Sequence, residues 1–429
     1  MREEYLHHAF QLKIFGNSFR TTKGEALEIL NFGEYNSNAG PDFLNARIKV
    51  EETVWAGSVE FHIKSSDWYV HQHHHDLRYN NVIVHFVLDD DKPVLVKGTP
   101  LQTVILKDKI DHQHYLKYVK LTDAAKTISC AAQLKDVPAV FITQQKERAL
   151  FQRLERKSAQ IIADIKKLNG DLETAFYYSL ARVFGGKVNA PAFENLMTKI
   201  SLRSLQKQSE NELVVPAVIF GISGLLPSDT DDEYVKSLIQ EFQFQKEKIL
   251  PRSMEKIQFR FSRMHPQGFP TIRLAQLSEI IRSKIPIGDI LSGERSFREI
   301  QHLFKCELPI YWKTHFTFGK PVKAKSNTLS DDFINLIFIN SIVPFIFSVG
   351  RLESDEKLKT YALELLTGAE RENNSITRFW ASIGLDFKTA FDSQALIEQK
   401  NEFCSKKKCL ACAMGYYLLS SNNKHASEI

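Results

Sequence analysis

Residues 33–87 read GEYNSNAGPDFLNARIKVEETVWAGSVEFHIKSSDWYVHQHHHDLRYNNVIVHFV, and this stretch decides the fold of the N-terminal part. Apolar and polar residues alternate within it, which is typical of β-strands that are half buried. Glu60 and His62 are two positions apart, so their side chains leave the same face of a sheet. The stretch therefore predicts consecutive strands that present acids and imidazoles on one face.

The pattern on either side of this stretch predicts an α+β or α/β fold. A short helix is expected at 3–15, and further strands at 81–89, 93–98 and 103–107. From about residue 115 the periodicity becomes helical, with long helices after Pro138 and before Gly185–Gly186. We predict a mixed-sheet domain at 1–115, a helical domain at 116–325, a C-terminal helical region at 326–420 and a frayed tail at 421–429.

The amino-acid composition limits which classes of protein this chain can belong to. Of the 429 residues, 43% are hydrophobic and 25% are charged, which is typical of a soluble globular protein. Lysine and arginine exceed aspartate and glutamate by 56 − 51 = 5, an excess too small to argue for nucleic acid. The apolar run at 333–350 contains Asn335, Asn340 and Pro344, so we expect a buried helix with a proline kink or break, and no membrane span. Five cysteines and no visible signal peptide favour a reducing cytoplasm.

Two carboxylates in the opening stretch could bind a hard cation. Asp42 stands just before one predicted strand and Glu60 lies on the next. If the two strands pair, these acids meet, and carboxylate oxygens are ligands that Mg²⁺ and Mn²⁺ prefer. His62, on the face of Glu60, could then orient water or steady charge that develops on phosphorus. The alternative is that these are turn acids and polar surface groups with structural roles.

This arrangement resembles the core of PD-(D/E)XK nucleases over residues 1–90. The motif of that family is Pro-Asp, a hairpin, and then Glu-x-Lys, and Asp42 and Glu60 match its two acids. His62 occupies the lysine position, which is a departure from the motif, and Lys64 could substitute for the lysine from the same face. The resemblance further implies that Glu4, on the first helix, is an additional metal-binding acid.

The histidine-rich run that follows suggests a second kind of site. His71, His73 and Asp76 lie in an irregular segment, and His85 interrupts an otherwise apolar strand. Imidazole and carboxylate together suit Zn²⁺, Mn²⁺ or Fe²⁺, and imidazolium can also contact phosphate. We expect these four residues to support the Asp42–Glu60 site or to contact phosphate. The alternative is a polar loop that faces water, which is the interpretation we favour for His74 and His75.

Three cysteines cluster near the C-terminus as Cys404-x₄-Cys409-x₂-Cys412. Two thiolates at C-x₂-C spacing can converge on one metal, and the C-x₄-C-x₂-C spacing also occurs in plant-type ferredoxins. We expect a zinc ion or an iron–sulfur cluster here, with Cys130 or Cys306 as the fourth ligand. The alternative is that the cysteines are small groups that pack a C-terminal helix.

The segment FRFSRMHPQGFPTIRLAQL at 259–277 interleaves basic and aromatic residues. Arg260, Arg263 and Arg273 are therefore candidate contacts to nucleic acid. A simpler interpretation is a turn that leads into a helix, with the arginines paired locally.

Several segments together resemble a bacterial family known as domain of unknown function 2851. They include GEYNSNAGPDFLNARI, WAGSVEFHIKSSDW, NVIVHFV, HPQGFPTIRLAQL and FKTAFDSQALIEQKNEFCSKKKCLACAMG. The resemblance spans nearly the full length and implies one integrated protein, but it implies no activity.

These patterns favour a cytoplasmic, metal-dependent phosphodiesterase or nuclease-like enzyme that acts on nucleic acid. Mg²⁺ or Mn²⁺ would bind at Asp42 and Glu60. One alternative is a non-catalytic adaptor or nucleic-acid-binding scaffold with a structural metal at the cysteines. Another is a hydrolase with a transition metal held by histidine and aspartate. The hypotheses can be distinguished by the positions of Asp42, Glu60 and His62, because the nuclease-like enzyme requires these side chains to converge and the adaptor does not.

Overall fold

A computed structural model describes residues 1–36, 39–122, 128–249 and 257–420. The chain forms two compact units. One contains residues 1–145 together with the described residues from 401 onward, and the other contains residues 146–400. The first unit carries the β-sheet and the second is helical. The predicted α+β class, with an N-terminal mixed sheet and a larger helical region, is confirmed.

A seven-stranded mixed sheet forms the centre of the first unit. Its path is β1-β2-β4-β5-β6-β9, with β3 paired to β4. Strand β5 pairs antiparallel to β4 but parallel to β6, and β6 is parallel to β9. The strands of the unit, including the separate β7–β8 pair, are β1 Ser18–Arg20, β2 Ala26–Asn31, β3 Glu34–Tyr35, β4 Phe43–Val50, β5 Thr53–Lys64, β6 Val82–Asp89, β7 Leu95–Val96, β8 Thr99–Pro100 and β9 Gln102–Ile105.

Strand β6 is covered on both faces, as its nearly continuous apolar sequence predicts. On one face, Phe10 of the first helix contacts the rings of Phe43, Phe61 and Phe86 at centroid distances of 4.8, 5.0 and 5.5 Å. The helices of this unit are α1 Glu3–Gln11, α2 Asp67–Val70, α3 His112–Thr122 and α17 Ala413–Ser420. The core therefore lies between the sheet and α1, and it fixes α1 above β5.

The second unit consists of helices around one apolar core. Helix α4 begins in the first unit and continues into the second. The helices, in chain order, are α4 Ala139–Lys167, α5 Leu172–Thr198, α6 Leu202–Lys207, α7 Val214–Ser223, α8 Glu233–Ile249, α9 Pro270–Arg282, α10 Ile287–Leu291, α11 Phe297–Leu303, α12 Asp331–Ile337, α13 Val343–Glu353, α14 Glu356–Gly368, α15 Ser375–Ser382 and α16 Ala390–Glu398.

Two predicted interruptions of helices are present. Gly186 has a left-handed φ of 57° and breaks the helical backbone inside α5. The apolar run at 333–350 forms α12, a π-helical turn at Phe338–Ile342 and α13, with Pro344 in the first turn of α13. By length and composition this helix could cross a membrane, but 83% of its most apolar window is buried inside the protein, as in a core helix.

The predicted domain limits differ from the two units. Residues 116–145 belong to the sheet-containing unit, because α3 packs on α1 through Tyr118 and Tyr5, whose ring centroids are 5.2 Å apart. The expected division near 325 is absent from the described residues, since Asn327 exchanges hydrogen bonds with the backbone of Leu308 inside the helical unit. The predicted frayed tail at 421–429 lies outside the described residues.

Strand β5 closely approaches β6 and the residue just before β6 at Gly57, and this contact allows a test of the sheet. A Cβ atom added at Gly57 would lie 2.4 Å from the carbonyl oxygen of Asn81 and 2.5 Å from Cγ2 of Ile83. We predict that Gly57→Ala lowers the free energy of unfolding by about 1–3 kcal/mol, the usual cost of overpacking. Urea denaturation measures this change. Gly288→Ala is the control, because nothing lies within 4 Å of its added Cβ, and an equal loss there would contradict the proposed strand contact.

A second prediction concerns acid stability. His8 on α1 is 2% exposed and stacks on His114. Burial, and next the neighbouring His114, lower the pKa of His8 to about 3. The unfolded chain takes up this proton near pH 6.5, so the stability that neutral His8 provides is complete above pH 6.5 and is lost as the pH falls toward 3. The slope from one such histidine is at most about 1.4 kcal/mol per pH unit.

Urea unfolding between pH 7 and pH 4 measures this slope. His8→Gln removes the titrating group, so the variant should lose stability less steeply than the wild type as the pH falls. The exposed His75, changed to Gln, is the control and should keep the wild-type slope. An unchanged slope in His8→Gln would show that His8 is not the source of acid sensitivity.

Candidate metal centre

The hairpin of β4 and β5 brings Asp42 and Glu60 together. The backbone N–H of Asp42 donates to Oε2 of Glu60 at 3.1 Å, and the N–H of Phe61 donates to Oδ2 of Asp42 at 2.9 Å. Each carboxylate thus accepts a hydrogen bond from the backbone at, or next to, the other acid. Oε1 of Glu60 remains directed toward the histidines.

Two imidazoles approach this remaining oxygen. Nε2 of His73 lies 3.3 Å from Oε1 of Glu60, and Nε2 of His62 lies 3.8 Å from the same atom. The side chains of Glu60 and His62 are 5% and 1% exposed, whereas His73 is half-buried. A buried carboxylate therefore faces two imidazole nitrogens on the side of the sheet opposite α1.

The imidazoles are also joined to one another. Nδ1 of His62 is 2.8 Å from Nε2 of His85, and Nε2 of His62 is 3.1 Å from Nδ1 of His71. His71 is exposed, so this chain of rings runs from the buried strand β6 to solvent. Since each close pair of nitrogens shares one proton at most, the tautomer of His62 decides which nitrogen keeps a free lone pair.

The crossover between the parallel strands β5 and β6 positions His71 and His73. Parallel strands require such a connection, and here residues 65–81 supply it as short helical turns. Asp91 accepts hydrogen bonds from the hydroxyls of Ser65 and Ser66 and so ties the start of the crossover to the end of β6. Trp68 is buried beneath the segment.

Two further contacts fix the orientation of His73. The ring of Tyr79 stacks on it at a centroid distance of 3.8 Å and an angle of 17°. Asp76 forms hydrogen bonds with the backbone and the guanidinium of Arg78, which lower the pKa of Asp76 and close the turn between His73 and Tyr79. Asp76 is thus a residue that shapes the crossover rather than one that faces the cluster.

Burial dominates the electrostatics of the cluster. It raises the pKa of Glu60 far above its ordinary value, and the nearby charge of Asp42 raises that pKa further. Burial likewise lowers the pKa of His62, and lowers that of His73 to about 4, with His71 contributing next for His73. His62 and His73 are therefore neutral at physiological pH, which is the state that offers lone pairs to a cation.

The spacing of these atoms suits a bound cation. One nitrogen from each of His62, His71 and His73 lies within 4.8 Å of the other two. Ligand bonds of about 2.0–2.2 Å around a tetrahedron place neighbouring ligand atoms about 3.4 Å apart. The observed separations of 3.1, 3.3 and 3.8 Å within the set formed with Glu60 bracket that value. The three imidazole nitrogens can thus surround one ion, and Glu60 lies beside two of them without being part of the converging set.

The other predicted residues of this site lie at its margin or outside it. Lys64 is exposed at the end of β5, and its backbone N–H donates to Asp67, so it does not occupy a lysine position within the cluster. Glu4 is also exposed. The acid of α1 whose charge interacts with Asp42 is Glu3, whose pKa burial raises to about 7.

Sequence reasoning did not single out Glu3, His7 or Tyr79. Nε2 of His7 lies 3.2 Å from Oδ2 of Asp42, an electrostatic contact whose alignment is not that of a hydrogen bond. Glu3 and His7 are four positions apart in a predicted helix, a spacing that places both on one face. That spacing, read beside the Pro-Asp motif, is the signal that could have identified them. No comparable signal exists for the stacking of Tyr79.

A cavity lies along the end of α1 and the strands β2 and β3, and its lining includes neither Asp42, nor Glu60, nor any of the histidines. It has a volume of about 790 Å³, and its lining residues include Tyr35, Phe43, Asn31, Asn17 and Lys13. The ring of Tyr35 is half exposed and lies 5.9 Å from that of His7. Of the lining residues, Tyr35 is the one shown to lie near Asp42, because burial, and next the charge of Asp42, raise the pKa of Tyr35.

The C-terminal cysteines are not brought together as predicted. Within the described ranges, the only set of three or more potential ligands with converging atoms is that of the three histidines. The predicted convergence of Cys404, Cys409 and Cys412 is therefore not observed. Electrostatic coupling instead links Cys130 to Cys409 and Cys412, and burial raises the pKa of the Cys130 thiol to about 12. Cys306 belongs to the helical unit.

The three candidate arginines do not form one exposed basic surface. Arg260 and Arg263 are exposed, and the backbone of Arg260 exchanges hydrogen bonds with Asn189. Arg273 is half-buried, with its guanidinium 3.3 Å from the ring centroid of Phe333, and burial lowers its pKa to about 10. Arg273 thus packs against the core of the helical unit, as the simpler interpretation of this segment expects.

Comparison with known proteins identifies the family without assigning an activity. No curated protein and no solved structure gives a match to the chain. Residues 3–375 match the model of one family, and they include every residue of the histidine–carboxylate cluster. The resemblance noted from the sequence is confirmed. The chain belongs to the family described as Protein of unknown function (DUF2851).

Proposed function

We propose that this protein is a metal-dependent phosphodiesterase whose cation binds at Glu60, His62, His71 and His73. The observation that carries the proposal is the convergence of three imidazole nitrogens within 4.8 Å of one another, with the buried carboxyl group of Glu60 3.3 Å from Nε2 of His73. A cation in such a site lowers the pKa of a bound water and polarises a phosphoryl oxygen. The exposure of His71 leaves one side of the site open to substrate.

The donor set favours a transition metal over magnesium. Imidazole nitrogen suits Zn²⁺, Mn²⁺ or Fe²⁺, whereas Mg²⁺ prefers an octahedron of oxygens. The second nitrogen of His62 meets His85, which supports the orientation of a metal-binding imidazole as outer partners do in known sites. A second candidate is Mg²⁺ or Mn²⁺ at Asp42 and Glu60, which the mutual hydrogen bonds of these two residues support.

Two features support a phosphodiester in nucleic acid as the substrate. The acids lie on a hairpin as Pro-Asp followed by Glu-x-His, which is the arrangement that resembles the nuclease core. Tyr35, which pairs with Phe43 next to Asp42, offers a half-exposed ring for stacking of a base. The adaptor hypothesis has less support, because Asp42, Glu60 and His62 meet in one cluster, which an adaptor does not require.

We predict that purified full-length protein binds about one equivalent of Zn²⁺ or Mn²⁺. His71→Ala and His73→Ala should each weaken binding by at least about tenfold, because each removes a nitrogen that faces the ion. Elemental analysis after dialysis, and titration of the apoprotein with each metal, measure this change.

The turn that carries His73 offers a matched control. His74 and His75 are exposed, and their rings stack on each other rather than on the cluster. The double variant His74→Ala/His75→Ala should therefore bind metal as the wild type does. Full metal occupancy in a His71→Ala/His73→Ala double variant would contradict the proposed site.

We also predict metal-dependent hydrolysis of phosphodiesters. Wild-type protein should cleave bis(p-nitrophenyl) phosphate or single-stranded DNA or RNA. Glu60→Gln should lower kcat by about 10²-fold or more because it removes the carboxylate that faces the imidazoles, and Asp42→Asn should lower kcat by about 10–100-fold. Restoration of the apoprotein by Zn²⁺ but not by Mg²⁺ would favour the histidine site, and restoration by Mg²⁺ but not by Zn²⁺ would favour the oxygen-ligand site.

Glu34→Gln is the control for the loss of one acidic charge, because Glu34 is exposed on β3. It should keep wild-type activity. Activity that survives in both Glu60→Gln and Asp42→Asn would show that another site or a contaminant is responsible. Thermal unfolding of each variant separates loss of activity from loss of fold.

A further inference from the structure

The cavity along the end of α1 is not used by the proposed metal centre. Its volume of about 790 Å³ falls within the range of small-molecule sites in proteins, about 300–1,000 Å³. Ile29 and Phe43 line it and belong to the buried core, whereas Leu30 and Tyr35 are each 48% exposed. All the lining residues lie in the sheet-containing unit. The cavity is thus open to solvent, and its base is part of the core of that unit.

A break in the edge of the sheet and the end of α1 form the cavity walls. Strand β2 pairs with β4 as far as Asn31, and β3 resumes the pairing with β4 at Glu34. Phe32 and Gly33 leave the ladder between these positions, and Gly33 has a left-handed φ of 76°. On the other side, α1 ends at Gln11 and the chain turns before β1 begins. The lining residues come from both of these walls.

A lysine with an unusual backbone conformation stands at the edge of the cavity. Lys13 has a φ of 55°, in the left-handed region that residues other than glycine seldom adopt. Two hydrogen bonds fix this turn, since the N–H of Lys13 donates to Phe10 and that of Ile14 donates to Ala9, each at 2.9 Å. The ammonium of Lys13 lies over the ring of Phe32, 5.5 Å from its centroid. A rigid turn thus holds a cation above one of the lining rings.

The charge of the cavity is positive. Of the lining residues that the structure describes, Lys13 alone carries a charge, and none is an aspartate or a glutamate. Lys13 is exposed, so an anion can reach its ammonium from solvent. An ammonium group is a strong hydrogen-bond donor to phosphate oxygens. The lining therefore favours a ligand with an anionic group.

Aromatic rings connect this lysine with the other end of the cavity. The ring of Tyr35 lies 5.5 Å from that of Phe43, which lies 4.8 Å from that of Phe10. Phe10 in turn lies 4.8 Å from Phe32, the ring beneath Lys13. These contacts fix the orientation of Tyr35 although half of it is exposed. A flat ligand ring can therefore stack on Tyr35 with little ordering of the protein.

Side-chain amides supply the remaining polar groups of the lining. Oδ1 of Asn31 accepts a hydrogen bond from the N–H of Gly33 at 2.8 Å, which leaves its NH₂ group as a donor. Gln11, the last residue of α1, is exposed. The amide of Asn17 is engaged with Glu28 at 3.4 Å and so belongs to the wall. Asparagine and glutamine amides are the groups that bind the polar edges of nucleic-acid bases.

We propose that this cavity binds one nucleotide unit, with its base on the ring of Tyr35 and its phosphate at the ammonium of Lys13. The amides of Gln11 and Asn31 would contact the edge of the base. A neutral sugar would make no use of the cation, and a plain anion would make no use of the exposed ring. The nucleotide is either free or the end of a single strand. No ligand of the proposed metal ion lines the cavity, so this inference does not rest on the proposed hydrolysis.

Calorimetric titration of the metal-free, full-length protein at low ionic strength tests the proposal. The probes are the four ribonucleoside 5′-monophosphates, adenosine, orthophosphate and a single-stranded oligonucleotide with a 5′-phosphate. We expect one site per chain for at least one monophosphate or for the oligonucleotide. Adenosine and orthophosphate should each bind at least about tenfold more weakly, because each lacks one of the two contacts. A higher affinity for the oligonucleotide than for every monophosphate identifies the end of a strand, and the reverse identifies the free nucleotide.

Tyr35→Ala and Lys13→Met should each raise the Kd of the bound probe at least about tenfold, because they remove the stacking ring and the charge-assisted hydrogen bond. Tyr35→Phe keeps the ring and Lys13→Arg keeps the charge, so both should retain binding. These two variants separate loss of the contact from loss of the fold.

Trp55→Ala and Lys23→Met are the matched controls, because both residues are exposed in the same unit but do not line the cavity. They should bind the probe as the wild type does. Unchanged affinity in Tyr35→Ala or in Lys13→Met, or no binding of any probe by the wild type, would overturn the proposal. Binding without metal-dependent hydrolysis would leave this site standing while the proposed function fails, and hydrolysis without binding would do the opposite.

Discussion

The buried carboxylate of Glu60 is the constraint on which the N-terminal unit depends. It lies in the middle of β5, where the parallel strand β6 and the crossover exclude water from it. A carboxylate in such a place must be protonated, hydrogen-bonded or matched by a cation. One oxygen is bound by the backbone of Asp42, and the other faces two imidazoles, neither of which carries a charge at neutral pH. The raised pKa of Glu60 keeps a proton on this group when no cation is bound, and a bound metal ion would take the place of that proton.

The fold explains how the ligands meet although they are distant in the chain. A hairpin places Asp42 beside Glu60, and a parallel pairing places His85 beside Glu60 on the next strand. The crossover that a parallel pair requires then carries His71 and His73 over the same face. The sheet thus supplies the rigid half of the site and the crossover supplies the half that reaches solvent.

Much of this was predictable because it rests on periodicity. The alternation in β5 placed Glu60 and His62 on one face, and the apolar run of β6 marked His85 as a buried exception. The short strands β1 and β3 were not predicted, since two or three residues carry too little periodicity. The choice between Glu3 and Glu4 depended on the rotation of α1, which Tyr5 and Phe10 fix through the core. Whether the cysteines converge on one point depends on tertiary packing, which residue spacing does not encode.

X-ray absorption spectroscopy of the metal-loaded, full-length protein tests the central claim most directly. The account predicts a first shell of nitrogen and oxygen at about 2.0–2.2 Å, with the multiple scattering of about three imidazoles. His74→Ala/His75→Ala should give the same spectrum, and His71→Ala should lose one imidazole. A shell of sulfur near 2.3 Å would place the metal at the cysteines instead. That result, or a shell of oxygens without imidazole, would contradict a histidine–carboxylate metal centre.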